Sequence, residues 1–190
     1  EGKTILALAE QEDFMYAPVD EMGVIIGDDN SLSKHIQAIL DHPLVDIYAI
    51  KKANFKVVVD AINSSGAFTV PALLKAIGVE DIVVLNAEMI GDFAHNPEPL
   101  KEHLTVLCDT VVNEKAHLGI AVDPDVDRLC FVSEDGTLFG EEYTLVAVAD
   151  YILQYTKGAT VSKLSSTRAL RDVTEKYGCS TKIGICVSVK

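Results

Sequence analysis

Apolar positions along the chain follow two rhythms that alternate from about residue 28 onward. Before that, only Thr4 to Glu10 has a short helical pattern. It runs into Tyr16-Ala17-Pro18-Val19-Asp20-Glu21-Met22-Gly23, where Pro and Gly favour a connector. Asp28 to Ser31 then offers capping residues, and Leu32, Ile36, Ile39 and Leu40 recur at helical spacing until Pro43 ends the run. A β-branched run, Phe55 to Asp60, predicts a strand. A Ser-Ser-Gly turn at 64–66 follows, then a helix on Val70, Leu73, Leu74 and Ile77 closed by Gly78, then a strand over Ile82 to Leu85. Strands that are apolar almost without interruption are buried on both faces, as in a parallel sheet covered by helices.

The pattern repeats. Pro99 to Lys115 places Leu100, Leu104, Leu107, Val111 and Val112 on one helical face, and Leu118 to Val122 reads as a further buried strand. Leu129 to Val132 and Thr137 to Phe139 flank Glu134-Asp135-Gly136, a tight-turn signal that predicts an antiparallel hairpin at the sheet edge. A helix over Glu141 to Tyr155, a strand over Ala159 to Leu164, a helix over Thr167 to Tyr177 and a strand over Thr181 to Ile185 begin a second unit. The expected class is α/β, with a mixed, mainly parallel sheet covered by helices. One complete α/β domain is followed by the start of a second similar one.

Composition narrows the function. The chain has 190 residues, with 16 Lys and Arg against 29 Asp and Glu, a net charge of −13. Such a field repels polyanions and excludes a basic nucleic-acid binder, while 48% hydrophobic content excludes a disordered acidic tail. The longest apolar runs fall far short of the ~20 residues of a membrane span, and the start lacks the pattern of a signal peptide. Cys108, Cys130, Cys179 and Cys186 form no C-x-x-C pair and sit in apolar or helix-like segments. They read as structural thiols in a reducing compartment, the cytoplasm. The first residue is not Met and the chain stops just after a strand, so a piece of a longer protein is expected.

One segment concentrates the chemistry. Asp123-Pro124-Asp125-Val126-Asp127-Arg128 follows a buried strand and sets carboxylates at i, i+2 and i+4. In an extended segment these project to one side, at the end of the sheet where open α/β folds bind ligands. Their mutual repulsion calls for a cation, and Mg²⁺ accepts hard oxygen ligands while leaving room for water and a phosphate oxygen. A solvated acidic turn is the plain alternative. A calcium loop of the EF-hand type fails because Arg128 stands where Gly is required and strands flank the loop. Beside a metal, Arg128 can hold a phosphate oxygen; otherwise it pairs with Asp125 or Asp127.

Gly119 to Leu129, containing Asp123-Pro124-Asp125-Val126-Asp127-Arg128, resembles the D-G-D-x-D-R metal loop of the α-D-phosphohexomutases, the phosphomannomutase and phosphoglucomutase family. Pro124 stands where Gly is commoner. Phe93 to Leu100, Asp60 to Asn63, Gly140 to Tyr143 and Ser165 to Leu170 are similar too, in the family's order, so the resemblance spans nearly the whole chain. It implies a four-domain magnesium enzyme in which a phosphoserine exchanges its phosphoryl group with a hexose phosphate, by way of a hexose 1,6-bisphosphate that also serves as activator. By this resemblance Asp123, Asp125 and Asp127 are metal ligands and Arg128 is a catalytic residue assisting phosphoryl transfer. Ser165 and Arg168 are substrate-binding by the same resemblance, with capping and solvation of the 167–177 helix as the alternative.

The family's T-A-S-H-N-P serine loop has no counterpart here. Ala94-His95-Asn96-Pro97 matches a different family segment, so the nucleophile is expected upstream of Glu1 and the fragment alone is expected to be inactive. Residues 1–27 correspond to the tail of domain one and linker, 28–133 to domain two, and 134–190 to the first half of domain three. The specificity loop falls near Gly184 to Ser188, where Ile185 offers sugar hydroxyls no polar group, so mannose, glucose and glucosamine phosphate stay open, with mannose or glucose phosphate the expected partner. The other expected partners are the missing domains of the same chain, with no nucleic acid and no membrane. A metal-dependent sugar-phosphate sensor without a nucleophile is the competing reading.

His35, His42, His103 and His117 read as surface or packing residues. His95 either orients the metal loop or stabilises its own turn. Asn63-Ser64-Ser65-Gly66 can bind an anion on its amides, but turn chemistry explains it.

Overall fold

A computed structural model describes residues 1–12, 14–164 and 166–184. Two compact units result, residues 1–31 and 32–190. The first holds α1 (Gly2–Gln11), which ends on a left-handed Glu12 and buries no residue, and a short 3₁₀ turn at Val19–Glu21.

The second unit continues from α2 (Ser31–Leu40) into α3 (Ile47–Ala53), a helix the apolar rhythm does not reveal. Its signals are its ends. Asp46 accepts a hydrogen bond from the Ala49 amide at the N-terminus, and Asn54 adopts φ 49° at the C-terminus. The chain then runs through β1 (Lys56–Asp60), α4 (Gly66–Ile77), β2 (Asp81–Leu85), α5 (Thr105–Asn113), β3 (Leu118–Val122) and β4 (Leu129–Ser133).

These strands form one sheet in the order β2-β1-β3-β4. β1 pairs parallel with β2 and with β3, and β4 closes the edge antiparallel to β3. The two faces are read directly from the strand alternation. Val57, Val59, Ile120 and Val122 pack with Leu74 of α4, while Val58 and Ala121 pack with Leu107 and Val111 of α5. Both faces are covered, as the apolar strands require, and each fully buried valine contributes roughly 1.5–3 kcal/mol of apolar burial.

Strand order matters for function. The connection from β1 through α4 leads to β2 on one side, and the connection from β2 through α5 returns across β1 to β3 on the other. The order therefore reverses between β1 and β3, and the crevice beyond their carboxyl ends is where such sheets bind ligands.

Two local expectations are corrected. The helix expected over Pro99 to Lys115 begins at Thr105, because residues 99–104 turn tightly, with the Leu100 amide and His103 Nδ1 both bonded to the Glu98 carbonyl. The second arm of the expected hairpin is reduced to a bridge of Val132 with Leu138. The turn itself is present, with Gly136 at φ 79° donating to the Ser133 carbonyl.

The remaining elements are α6 (Glu141–Tyr155), β5 (Thr160–Lys163), α7 (Ala169–Lys176) and β6 (Thr181–Gly184), with β5 and β6 paired parallel. Among the described residues the cysteines form no disulfide, and Cys130 is buried; Cys186 lies outside them. No described helix is long and apolar enough to cross a membrane.

Candidate metal centre at the ends of β1 and β3

Asp123 follows the last residue of β3 and is 7% exposed, whereas Asp125 and Asp127 are exposed. One oxygen from each of the three carboxylates lies within 4.8 Å of the others. The convergence has a different cause from the expected strand alternation. The chain turns: the Val126 amide donates to the Asp123 carbonyl at 3.1 Å, and Val126 takes φ 62°. A β-branched residue in that region is strained, at a cost of order 1–3 kcal/mol. The surroundings hold it there, because Val126 packs against the α4-side core.

Asp123 organises the turn. Its Oδ1 accepts the amides of Asp127 at 2.9 Å and Arg128 at 3.1 Å. Burial pushes its carboxyl up, but these amides and the neighbouring Asp127 side chain outweigh burial and hold it below the usual carboxylate range. Asp127 is shifted the opposite way. The hydrogen bond it shares with Asp123, and the charges of Asp125 and Asp123, push it up. Three carboxylates that converge this closely are a donor set suited to a hard divalent cation, since all the available ligand atoms are oxygens.

The turn is also held from beyond the end of β1. Ser64 Oγ and Ser65 Oγ, 60 and 59 residues away in sequence, both donate to the Pro124 carbonyl, at 2.8 and 2.7 Å. Gly66, the first residue of α4, lets the helix approach β3 closely. A Cβ there would stand 2.6 Å from Val122 Cγ2. The turn read at Asn63 to Gly66 is therefore a clamp on the acidic loop.

A second set of groups lines the same crevice. Asp60 ends β1 and is 2% exposed; its carboxylate accepts from the Ile62 amide and Asn86 Nδ2 and meets His95 Nε2 at 3.0 Å. His95 Nδ1 contacts the Asn96 carbonyl at 2.9 Å. His95 therefore secures its own loop against β1, with no bond to the acidic loop. Arg128 does not take Asp125 as its partner. Its Nη1 donates to the Glu98 carboxylate, while its Nε lies 3.9 Å from Asp123 and 4.0 Å from Asp127.

Arg168 is placed elsewhere. It stands at the N-cap position of α7 without a capping side-chain bond, pairs with Asp172 at 3.0 Å and borders a cavity of about 160 Å³ with Lys163 and Arg171. Ser165 lies outside the described residues. Two histidines outside the site accept backbone amides: His42 Nδ1 from Leu44 in its own turn, and His117 Nδ1 from Lys56 at the start of β1, 61 residues away.

A family profile described as phosphoglucomutase/phosphomannomutase, alpha/beta/alpha domain II, matches residues 33–136, the span that holds the four-stranded sheet and the acidic loop. The chain belongs to the phosphoglucomutase/phosphomannomutase family. Among its family relatives, a phosphoglucomutase/phosphomannomutase of Thermococcus kodakarensis is 35% identical over 178 residues, covering 91% of this chain and 38% of its own length. A phosphoglucosamine/phosphogalactosamine mutase of Sulfurisphaera tokodaii is 37% identical over 110 residues, 57% of this chain and 24% of its own. A solved family member from Burkholderia thailandensis superposes with a TM-score of 0.70 at 26% identity, covering 82% of this chain and 33% of that one. A solved structure from Thermus thermophilus, at 23% identity, shares the fold with a TM-score of 0.76 over 86% of this chain and 38% of its own. The chain therefore spans less than two-fifths of each of these relatives. The curated relatives are named as mutases, and their names differ in the sugar.

Proposed function

We propose that the chain is the central part of a phosphohexomutase, an isomerase that moves a phosphoryl group between the 1 and 6 positions of a hexose through a phosphoserine carried elsewhere in the full-length protein. The observation that carries this reading is the convergence of Asp123, Asp125 and Asp127 with Arg128 at the switch point of a sheet belonging to this family. In this reading the three carboxylates hold Mg²⁺, which when bound neutralises phosphoryl oxygen charge. Arg128 binds a phosphate oxygen of the transferring group. Ser64 and Ser65 fix the loop that presents the ligands. Residues 1–27, 28–133 and 134–190 correspond to the tail of domain one, domain two and the first half of domain three. Ser165 and Arg168 would meet substrate once the remaining domains complete the cleft, a hexose 1,6-bisphosphate would act as activator, and the protein would work in the cytoplasm.

The test is a coupled mutase assay on the full-length protein, with mannose, glucose and glucosamine phosphates, Mg²⁺ and a bisphosphate primer. Turnover of at least one sugar, absent from residues 1–190 alone, is expected. Activity in the isolated chain would contradict the need for an external serine. A full-length protein inactive on every sugar would replace the enzyme reading with that of a sugar-phosphate sensor.

A further inference from the structure

Arg128 is not free to point anywhere. Its guanidinium has one edge committed: Nη1 donates to the Glu98 carboxylate, and the Nε edge is left facing Asp123 and Asp127 at 3.9 and 4.0 Å. Both partners are half exposed, at 52% and 50%, so the pair contributes little to folding. What it fixes is direction, because a planar guanidinium held at one nitrogen presents its other edge in a defined plane.

Glu98 is itself held on several sides. Its amide donates to Asn96 Oδ1 at 3.0 Å, and its carbonyl meets the Leu100 amide and His103 Nδ1, each at 2.8 Å. The loop preceding it is tied to β1 through His95 on the buried Asp60, and through Asn63, which donates to the Asp92 carbonyl at 3.1 Å and accepts the Gly91 amide at 3.2 Å. A half-exposed carboxylate on a loop tied down at so many points is placed there by the sheet.

We infer that Glu98 is a positioning residue for Arg128: it occupies the Nη1 edge of the guanidinium so that the Nε edge stays aimed into the acidic loop, where a phosphate oxygen is received. The inference rests on the function proposed above for the role of Arg128. A carboxylate beside a phosphate site repels the incoming anion, so removing Glu98 has two opposed effects. Loss of charge favours the phosphate and loss of aim disfavours catalysis. Glu98→Gln and Glu98→Ala separate them, since both are neutral and only Gln keeps an oxygen that accepts from Nη1.

Two measurements test this. The first follows the Arg128 Nη signals by NMR in residues 1–190, assigned by their disappearance in Arg128→Lys. Resolved, inequivalent Nη signals, as when a bond at Nη1 stops rotation about Nε–Cζ, are expected in the parent and in Glu98→Gln and should average in Glu98→Ala. The second measures kcat and KM of the full-length protein. Glu98→Ala should lie about tenfold below Glu98→Gln in kcat with KM within about threefold, and the difference should vanish in an Arg128→Ala background. Gln and Ala variants with the same Nη behaviour would overturn the inference, as would a kcat difference that persists without Arg128. If the full-length parent has no mutase activity, the function proposed above fails, and the NMR comparison still decides whether Glu98 aims Arg128.

Discussion

The clamp on the acidic loop makes a prediction with a distinctive shape. Ser64 Oγ and Ser65 Oγ donate to one acceptor, the Pro124 carbonyl, at 2.8 and 2.7 Å. A carbonyl has two lone pairs, so either serine alone still satisfies it. Ser64→Ala or Ser65→Ala should each remove one partly buried hydrogen bond and cost about 0.5–1 kcal/mol. The double variant removes both and leaves the carbonyl unpaired beside the strained Val126, which adds the desolvation cost of an orphaned acceptor. Its loss should reach about 1.5–3 kcal/mol, exceeding the sum of the single losses by about 0.5–1 kcal/mol. Urea denaturation of the four proteins, followed by circular dichroism, measures the cycle. Additive losses, or a double variant within about 0.5 kcal/mol of the parent, would show that the two hydroxyls do not share responsibility for holding the loop.

Three further outcomes follow from the same geometry. Gly66→Ala puts a methyl 2.6 Å from Val122 Cγ2, on a short, stiff side chain buried in the sheet. Overpacking of about 1–3 kcal/mol should outweigh the helix-propensity gain of about 1 kcal/mol and lower the thermal midpoint by a few degrees; an unchanged or raised midpoint would refute the close approach. The Asp150 carboxyl, which accepts from Lys176 and Tyr177, is held below its ordinary value by those hydrogen bonds, and Lys176 is held above its own chiefly by Asp150. The stability difference between parent and Asp150→Asn should therefore be constant at neutral pH. It should fade as pH drops below about 3.9 through the lowered Asp150 value, and again as pH rises above about 10.4 through the raised Lys176 value; a pH-independent difference in chemical-denaturation curves would contradict the pairing. Leu107→Ala, at a fully buried position under α5, should cost about 2–5 kcal/mol in the same assay, and a loss below about 1 kcal/mol would place the core elsewhere.

What the sequence discloses about this chain is mostly local. The apolar runs at 57–59, 82–85 and 118–122 specify buried strands because each is read within a few residues, and the acid spacing at 123, 125 and 127 marks the centre for the same reason. The turn at Val126 escapes because a β-branched residue is a poor candidate for positive φ, and only its packing against the core keeps it there. The late start of α5 escapes because Pro99 to Leu104 keeps a helical apolar pattern while the Glu98 carbonyl draws its hydrogen bonds into a turn. The clamps join residues 30 to 60 apart: Ser64 and Ser65 with Pro124, His95 with Asp60, Glu98 with Arg128. No single-residue spacing encodes such pairs, since strand register and crossover connections bring them together. Asn63-Ser64-Ser65-Gly66 does carry a signal, two hydroxyls at a strand end beside a glycine, but its partner is not legible.

The most direct test of the proposed metal centre is a Mn²⁺ titration of residues 1–190 monitored by electron paramagnetic resonance, with Mg²⁺ as competitor, beside the Asp125→Ala variant. Asp125 is exposed, so the variant should keep the parent's circular dichroism and thermal midpoint. One Mn²⁺ site per chain, displaced by Mg²⁺ and weakened at least tenfold in the variant, is the predicted result. A parent that binds no Mn²⁺ at millimolar concentration, or a variant that binds it as tightly as the parent, would contradict the assignment of the carboxylate cluster.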